Sequence, residues 1–342
     1  MRTISPHNDL KLFSTCPPSA LSDPQTALRE LESIARWSED AGCEGMLVFT
    51  DNGQLDPWLV SQAVIRATQR LCPLVAIQPV YMHPYSVAKM VTSLAFMHGR
   101  RVYLNMVAGG FKKDLEALND LTPHDERYAR LVEYATVIQS LLGSSEPVSF
   151  DGRYYKVSNL KLTPALPAEL QPGVLISGSS EAGAGAARQL GATAVEYPKP
   201  PAEYDGVTRT DGIPSGVRIG IIARAADDEA WSVARARFPE DRKGQLTQQL
   251  AMKVSDSSWH RQLAELAKTG VSDQNPYWLV PFQNYKAICP YLVGSYDRVA
   301  GEVARYLNVG YRTFIVDAPA NADDMHHTGV VFERAAMLSA AG

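Results

Sequence analysis

The stretch EGMLVFTDNGQLDPWLV, residues 44–60, contains one complete strand–loop–helix unit. Its first part, Glu44 to Thr50, is apolar on both faces, which is typical of a strand buried inside a parallel sheet. Asp56 and Pro57 then supply a side-chain cap and a proline at the first helical position, which together predict the start of a helix. A strand followed at once by a helix is the repeating unit of α/β proteins, so we expect the same unit elsewhere in the chain.

The unit recurs on both sides of this stretch, with Asp23-Pro24 and Thr122-Pro123 as further predicted helix starts. Helical patterns alternate with eight predicted strands, at residues 10–16, 44–50, 74–80, 101–107, 173–178, 193–197, 218–223 and 312–318. Eight parallel strands with alternating helices favour a closed (β/α)₈ TIM barrel. A doubly wound open sheet shares the local pattern and is the alternative.

Three segments interrupt the repeat. VSFDGRYYKV, residues 148–157, alternates around Asp151-Gly152 and predicts a β-hairpin inserted after the fourth helix, within about residues 146–165. Residues 240–292 form a helical and loop insertion between strands seven and eight, and insertions of this length usually cover the active face. Residues 199–216 lack a helical period, so the sixth helix is expected to be missing or short. We predict a single barrel domain over residues 1–342.

The composition excludes several classes of protein. The 342 residues carry 33 Lys+Arg against 37 Asp+Glu, a net charge of −4, which argues against a nucleic-acid binder or a membrane-surface protein that works through basic charge. No stretch reaches the roughly 18–20 apolar residues of a membrane span. The four cysteines lack CxxC spacing and the histidines are scattered, so we expect no disulfide framework and no protein-bound metal. These features fit a cytoplasmic enzyme.

Ligands of such a barrel bind at the carboxyl ends of the strands. The turn ISGSSE, residues 176–181, is the best phosphate candidate because it joins a strand to a helix start, where free N–H groups and the helix dipole favour an anion. Ser179 and Ser180 would add hydroxyl donors, unless Ser179 only caps the helix. Six further candidates lie at strand ends: Asp51, Gln54, Val75, Ala76, Asn105 and Ser177. A strand-end Asp also caps turns, so a structural role for Asp51 stays open.

Eight segments along nearly the whole chain match one known pattern in order and spacing. They are GCEGMLVFTDNGQLDPWLV, RLCPLVAIQPVYMHP, RRVYLNMVAGG, HDERYARLVEYATVIQSLL, VSFDGRYYKVSNLKL, ISGSSEAG, DDEAW and YLVGSYDRVAGEVARYLNVGYRTFIVDAP. With these segments the chain resembles the bacterial luciferase-like flavin-dependent monooxygenases, and among them the alkanesulfonate monooxygenase branch. The resemblance implies a (β/α)₈ barrel that binds reduced FMN delivered by a separate reductase.

The resemblance also implies which residues bind the phosphate end of the flavin. Ser179 and Ser180 would hold the phosphate, and Gly178 would let the backbone approach it. Tyr128, in the segment HDERY, would reach the phosphate or the ribityl chain.

The resemblance further implies cofactor contacts from the third, fourth and fifth strands. Asn105 would hydrogen-bond the flavin ring or its chain, and Ser177 is assigned to the cofactor as well. Val75 and Ala76 lie where the family often places a non-prolyl cis peptide behind the isoalloxazine.

The chain departs from the alkanesulfonate branch at several positions. Gln54 stands where a cysteine is expected, Gly220 where a histidine follows Arg218, and Tyr197 where a tryptophan is expected. The Thr50–Asp51 pair replaces the luciferase histidine. Of the residues that the resemblance assigns to binding an anionic substrate, Arg218 is the one that this chain retains. An alkanesulfonate substrate and light emission from a long-chain aldehyde are therefore not favoured.

The implied reaction is a two-component monooxygenation. Reduced FMN from an NAD(P)H:flavin reductase forms a C4a-(hydro)peroxide with O₂, and one oxygen atom is inserted into a small organic substrate. Arg218, Gln54 and Asp51 are the predicted catalytic residues, and Arg218 would stabilise a peroxide anion or a substrate carboxylate, or else form a structural ion pair. An F420-dependent oxidoreductase and a non-catalytic flavin-binding relative are the alternatives. Family members are often dimers or tetramers, so we expect a homodimer or homotetramer.

Overall fold

A computed structural model of the chain describes residues 9–19, 23–254, 258–268 and 275–340. The described residues form two compact units. One comprises those within Met1–Thr15, Arg36–Glu44 and Val195–Gly342, and the other those within Cys16–Ala35 and Gly45–Ala194.

The strands of the described residues form one large sheet and one hairpin. They are β1 (Lys11–Thr15), β2 (Gly45–Val48), β3 (Cys72–Ile77), β4 (Tyr103–Met106), β5 (Val148–Asp151), β6 (Lys156–Leu160), β7 (Val174–Ser177), β8 (Thr193–Glu196), β9 (Ser215–Arg224), β10 (Tyr277–Trp278), β11 (Tyr291–Ser295) and β12 (Thr313–Val316). The large sheet runs β12-β1-β2-β3-β4-β7-β8, and β9 pairs with both β8 and β12. The eight parallel strands therefore close on themselves, which confirms the (β/α)₈ TIM barrel and excludes the open sheet.

Helices connect the strands. They are α1 (Ala27–Asp40), α2 (Pro57–Ala67), α3 (Pro84–His98), α4 (Lys112–Ala117), α5 (His124–Gly143), α6 (Glu181–Leu190), α7 (Asp227–Arg237), α8 (Arg242–Val254), α9 (Ser258–Lys268), α10 (Val280–Gln283), α11 (Tyr296–Val309) and α12 (Ala322–Ala340). None of these helices, as far as the described residues go, combines the length and the apolar character that a membrane span requires.

Two predicted helix starts differ from the structure, those after Asp23 and after Thr122. The first helix, α1, begins at Ala27 rather than at Pro24, because residues 24–26 form a turn in which Gln25 and Thr26 donate their N–H groups to Asp23. Asp56 caps α2 as predicted, because its side chain accepts N–H groups of the first turn at 2.9 and 3.1 Å. The helix predicted after Thr122 does begin there, but Thr122 is not its cap. Pro123 holds the cap position without a side-chain hydrogen bond, and the Thr122 hydroxyl donates to Asp120 at 2.6 Å instead.

Burial of the strands explains their composition. Every residue of β2, β4, β9 and β12 is buried, including both faces of each strand. Strands covered on both sides must be apolar throughout, and this is why the sequence shows continuous apolar runs rather than alternation.

The hairpin insertion is confirmed, with a wider turn than predicted. β5 and β6 pair antiparallel, and residues 152–155 connect them. The carboxylate of Glu133, on α5, accepts the N–H groups of Arg153, Tyr154 and Tyr155 at 2.7–3.1 Å. These hydrogen bonds satisfy the N–H groups of the wider turn, so the two-residue Asp-Gly turn expected from the sequence does not form.

The second insertion is helical in its first half, as predicted, with α8 and α9; residues 255–257 and 269–274 of it lie outside the described part. Its end was not predicted. There β11 pairs in parallel with the second half of β9, from Gly220 to Arg224. The sixth helix is reduced to a 3-10 turn at Pro201–Tyr204, which confirms the expectation of a missing or short helix.

Candidate active site

The turn between β7 and α6 brings the predicted phosphate residues to the start of a helix. Gly178, Ser179 and Ser180 connect the last strand residue to the first helical residue. Ser180 is the N-cap, since its Oγ accepts the N–H of Gly183 at 3.1 Å. The capping role weighed for Ser179 thus belongs to Ser180. Backbone N–H groups at such a helix start favour an anionic ligand.

Tyr128 lies directly against this turn. It comes from α5, is 8% exposed, and carries its hydroxyl to the backbone of Gly178. A Cβ added at Gly178, whose φ is +155°, would lie 2.5 Å from the Tyr128 hydroxyl. A Cβ at Gly183 would lie 3.3 Å from the same group. Only glycine at position 178 therefore allows the phenol to reach the turn.

Three predicted residues lie side by side on neighbouring strands. Ala76 on β3 is the register partner of Asn105 on β4, and Asn105 is the partner of Leu175 on β7. Ser177, two residues beyond Leu175, shares the face of Asn105 and donates its hydroxyl to Asn105 Oδ1 at 2.8 Å. Asn105 is only 4% exposed, so this bond orients a buried amide at the strand ends.

Val75 and Ala76 do not act together. Successive strand residues point to opposite faces, so only one of them shares a face with Asn105, and that residue is Ala76. The peptide between them is trans, because the cis peptide among the described residues is Thr163–Pro164. The expected cis bond is therefore wrong for this chain. Val75 pairs with β2 and β4, and Ala76 pairs with β4, so both residues lie in extended strand backbone.

A pocket of about 280 Å³ opens beyond the ends of β2 and β3. Its lining contains the predicted residues Asp51, Gln54 and Ala76, and it comprises Thr50, Asp51, Gln54, Leu55, Asp56, Pro57, Trp58, Ala76, Ile77, Gln78, Tyr81 and Met82. No lysine, arginine or histidine is among these residues. Burial, with the charges of Asp114 and Asp51, raises the pKa of Tyr81 to about 12, so its phenol stays protonated at neutral pH.

Asp51 and Gln54 each serve local structure in this pocket. Asp51 Oδ1 accepts the N–H of Gly53 at 2.7 Å, the turn-capping role that the sequence left open. Gln54 Oε1 accepts both the N–H and the hydroxyl of Ser19, at 2.8 and 2.9 Å. Their side-chain oxygens are therefore engaged in holding loops.

Arg218 belongs to the other unit and lies on β9. It is 8% exposed, and its Nε–H has no hydrogen-bond acceptor among the described residues. Burial works to lower the pKa of its guanidinium, but attraction to Tyr197 and to Asp317 outweighs burial and raises the pKa. The side chain is thus a permanent buried cation with one unused donor.

Tyr197 links Arg218 to the second insertion. Burial raises the pKa of its phenol and the guanidinium of Arg218 works against this rise, while its ring stacks on Trp259 of α9 with centroids 3.9 Å apart. Gln262, on the same helix, donates to the Tyr197 carbonyl at 3.1 Å. The sequence does not predict this contact, because a tryptophan in a helical pattern gives no indication of which residue it packs against.

Two more residues that the sequence did not single out come from the strands on either side of β9. Tyr291 donates its hydroxyl to Asp317 Oδ2 at 2.7 Å, and a Cβ at Gly220 would lie 2.4 Å from the Tyr291 ring. The one available signal was a glycine inside an otherwise apolar strand, which often marks the close approach of another group. Within the described ranges, no group of three or more His, Cys, Asp or Glu side chains is placed to hold a metal ion.

Comparison with known proteins gives the family. A model described as luciferase-like monooxygenase matches residues 10–313. The relative BtrO of Niallia circulans, named 4-(gamma-L-glutamylamino)butanoyl-[BtrI acyl-carrier protein] monooxygenase, is 36% identical over 306 residues, which cover 88% of this chain and 89% of BtrO.

Solved structures share the fold at low sequence identity. The EDTA monooxygenase EmoA from Chelativorans sp. BNC1 aligns with a TM-score of 0.69 and 14% identity, over 98% of this chain and 94% of EmoA. An F420-dependent secondary alcohol dehydrogenase aligns with a TM-score of 0.64 and 16% identity, over 96% of this chain and 99% of that one. The match to the family model over most of the length, together with the BtrO relative, shows that this chain is an enzyme of the luciferase-like monooxygenase family, a flavin-dependent monooxygenase.

Proposed function

We propose that the enzyme uses reduced FMN, supplied by a separate NAD(P)H:flavin reductase, to insert one atom of O₂ into a small organic substrate. Bound reduced flavin would supply the electrons that activate O₂. The observation that carries the proposal is the turn at Gly178–Ser180, where a helix start, two serines and the Tyr128 hydroxyl converge.

The residues at this turn fit a phosphate monoester. The first N–H groups of α6 offer donors to an anion, and the serine and tyrosine hydroxyls add more. Because Gly178 has no Cβ, the Tyr128 hydroxyl can approach the backbone of the turn. We infer that Ser179, Ser180 and Tyr128 bind the phosphate, and that the buried Asn105–Ser177 pair faces the rest of the flavin.

Arg218 is the proposed catalytic cation. A buried donor without an acceptor costs about 1–3 kcal/mol, so its unused Nε–H favours an acceptor supplied by a ligand. A substrate carboxylate or a developing oxyanion meets this need, and the charge of Arg218 strengthens the bond. Asp51 and Gln54 hold the pocket in shape in this proposal and take no part in proton transfer.

The substrate class follows from the pocket and from the relative. The pocket at β2 and β3 is lined by Asp51 and Asp56 and by no basic side chain, which disfavours a sulfonate there. BtrO is named for action on an acyl group attached to a carrier protein. We propose an acyl substrate whose distal end is neutral or cationic, either free or attached to a carrier protein.

The cofactor is tested by anaerobic titration of the purified protein with reduced FMN and, separately, with reduced F420. The proposal predicts binding of reduced FMN, followed on mixing with O₂ and an acyl substrate by a product one oxygen atom heavier. Binding of F420 without binding of FMN would instead support the F420-dependent alternative. Loss of all the oxygen as H₂O₂ with every free and carrier-bound acyl substrate tried would contradict the substrate class.

The assembly is part of the same proposal. Because the resemblance implies dimers or tetramers, we expect sedimentation to give two or four times the mass of one chain. A mass equal to one chain at micromolar concentration would contradict this expectation.

A further inference from the structure

Arg218 shares one face of the sheet with residues from both neighbouring strands. Gly220, two residues after Arg218 on β9, is the register partner of Tyr291 on β11. Arg218 itself is the partner of Ile315 on β12, and Asp317 lies two residues beyond Ile315. Because side chains alternate along a strand, Arg218, Tyr291 and Asp317 all project from the face on which Gly220 presents no side chain.

The side chain of Tyr291 occupies the space over Gly220. Its ring lies over Gly220, where an added Cβ would come within 2.4 Å of it, and its hydroxyl reaches Asp317 Oδ2 at 2.7 Å. Tyr291 and Asp317 thereby form a bridge over Gly220, from the strand on one side of β9 to the strand on the other. We call this pair the Tyr291–Asp317 bridge.

The bridge is held as a donor–acceptor pair. Tyr291 is 1% exposed, and burial together with the charge of Asp317 keeps the pKa of the phenol well above its usual range. The phenol therefore stays protonated at neutral pH and donates to the carboxylate. The carboxylate in turn attracts the guanidinium of Arg218.

Two groups favour the charged form of Arg218. Tyr197 and Asp317 both work to raise the pKa of its guanidinium, while its Nε–H meets no acceptor among the described residues. A buried cation that retains a donor without an acceptor can donate it to an acceptor on a ligand.

We propose that Tyr291 and Asp317 are positioning residues, whose bridge over Gly220 holds Arg218 so that its Nε–H donates to an oxyanion of the ligand. The resemblance expects a histidine at position 220, and in this chain a phenol from β11 takes that space. The inference deepens the proposed function and rests on it only for the identity of the ligand.

The test uses Tyr291→Phe, which keeps the ring over Gly220 and removes only the hydroxyl. Tyr306→Phe is the matched control, because Tyr306 is also fully buried and donates its hydroxyl, to the carbonyl of Lys199 at 2.7 Å. The measurement is the NMR signal of the arginine Nε–H groups in the full chain, with the signal of Arg218 assigned through Arg218→Lys.

We expect the Arg218 Nε–H signal to shift in Tyr291→Phe and to exchange with solvent about tenfold faster or more, while Tyr306→Phe leaves it unchanged. Acetate, used as a simple carboxylate probe, should shift this signal in the wild type and shift it less in Tyr291→Phe. If Tyr291→Phe fails to fold, Asp317→Asn gives the same comparison.

The inference would be overturned if the Arg218 Nε–H signal were the same in Tyr291→Phe and in the wild type. It would also be overturned if acetate left the wild-type signal unchanged. Because these readouts need no flavin, they separate the two proposals. A shifted signal in an enzyme that transfers no oxygen would leave the positioning role standing and remove the proposed function. An unchanged signal in an enzyme that does transfer oxygen would remove the positioning role and leave the proposed function standing.

Discussion

Two glycines of this enzyme each leave room for a tyrosine from another element. Gly178 and Gly220 each occupy a position where a tyrosine from another element covers the backbone, Tyr128 in one case and Tyr291 in the other. At each position an added Cβ would collide with the tyrosine, so the contact depends on glycine.

Gly178→Ala tests this relation at the proposed phosphate site. The new Cβ would lie 2.5 Å from the Tyr128 hydroxyl, whereas the next ring atom, Cζ, is 3.6 Å away. We expect a loss of about 1–3 kcal/mol of stability from the clash, and a weaker affinity for reduced FMN, measured by thermal unfolding and by anaerobic titration.

The double variant Gly178→Ala/Tyr128→Phe is the internal control. Removing the hydroxyl takes away the atom in closest contact, so this variant should regain part of the lost stability. It should not regain FMN affinity, because the proposed phosphate donor is gone. A Gly178→Ala protein as stable as the wild type would show that Tyr128 does not lie against the turn.

The sequence could predict the Gly178–Ser180 turn because its signal is local: a strand, a glycine, two serines and a helix follow one another directly. The Tyr291–Asp317 bridge could not be predicted in this way. Its partners lie 26 residues apart and meet over Gly220 only through the register of three strands. The hydrogen bond from Ser19 to Gln54 could not be predicted for the same reason.

At the level of elements, α5 is the helix that brings Tyr128 to the turn, and its start is fixed by an ion pair. Arg130 donates to Asp120 Oδ2 at 2.6 Å, and both side chains are largely buried. Burial works to raise the pKa of Asp120, but hydrogen bonds from Arg130 and Thr122 outweigh it and lower the pKa to about 2. The folded state therefore holds this carboxylate in its charged form.

This shift makes stability depend on pH. A carboxyl whose pKa is depressed by folding stabilises the protein above its unfolded pKa, and this contribution is lost as the pH falls through the folded value. We expect Asp120→Asn to lower the free energy of unfolding by about 2 kcal/mol at pH 7. The difference from the wild type should shrink between about pH 4 and pH 2, as followed by urea unfolding.

Asp125→Asn is the matched control, because Asp125 lies in the first turn of α5 with its side chain 87% exposed. It should change stability little at any pH, since exposed ion pairs contribute little. A difference for Asp120→Asn that stayed constant from pH 7 to pH 2 would show that the ion pair is not its cause.

Prediction of the elements succeeded where the pattern was local and continuous. The strands and helices of the barrel repeat came from apolar runs and capped helix starts, as at Asp56. β11 was missed because it lies at the end of the insertion, and its role as a strand depends on pairing with the extended second half of β9. The hairpin turn was predicted too narrow because Glu133, from a different element, binds its N–H groups.

At the scale of the whole molecule, the barrel could be predicted because eight repeats of one unit leave few topologies. The substrate could not be predicted from the same information. It depends on which side chains line the strand ends, and these differ from the alkanesulfonate branch at Gln54, Tyr197 and Gly220. A shared fold therefore gives neither the reaction nor the substrate, and both depend on the side chains of the site.

The central claim is that the turn at Gly178–Ser180 binds the phosphate of reduced FMN. The most direct measurement compares anaerobic dissociation constants for reduced FMN and reduced riboflavin, which differ only in that phosphate. The account predicts that the wild type binds FMN at least about tenfold more tightly, a difference of about 1.4 kcal/mol, and that Ser179→Ala/Ser180→Ala removes this preference while leaving riboflavin affinity nearly unchanged. Equal affinity of the wild type for the two flavins would contradict it.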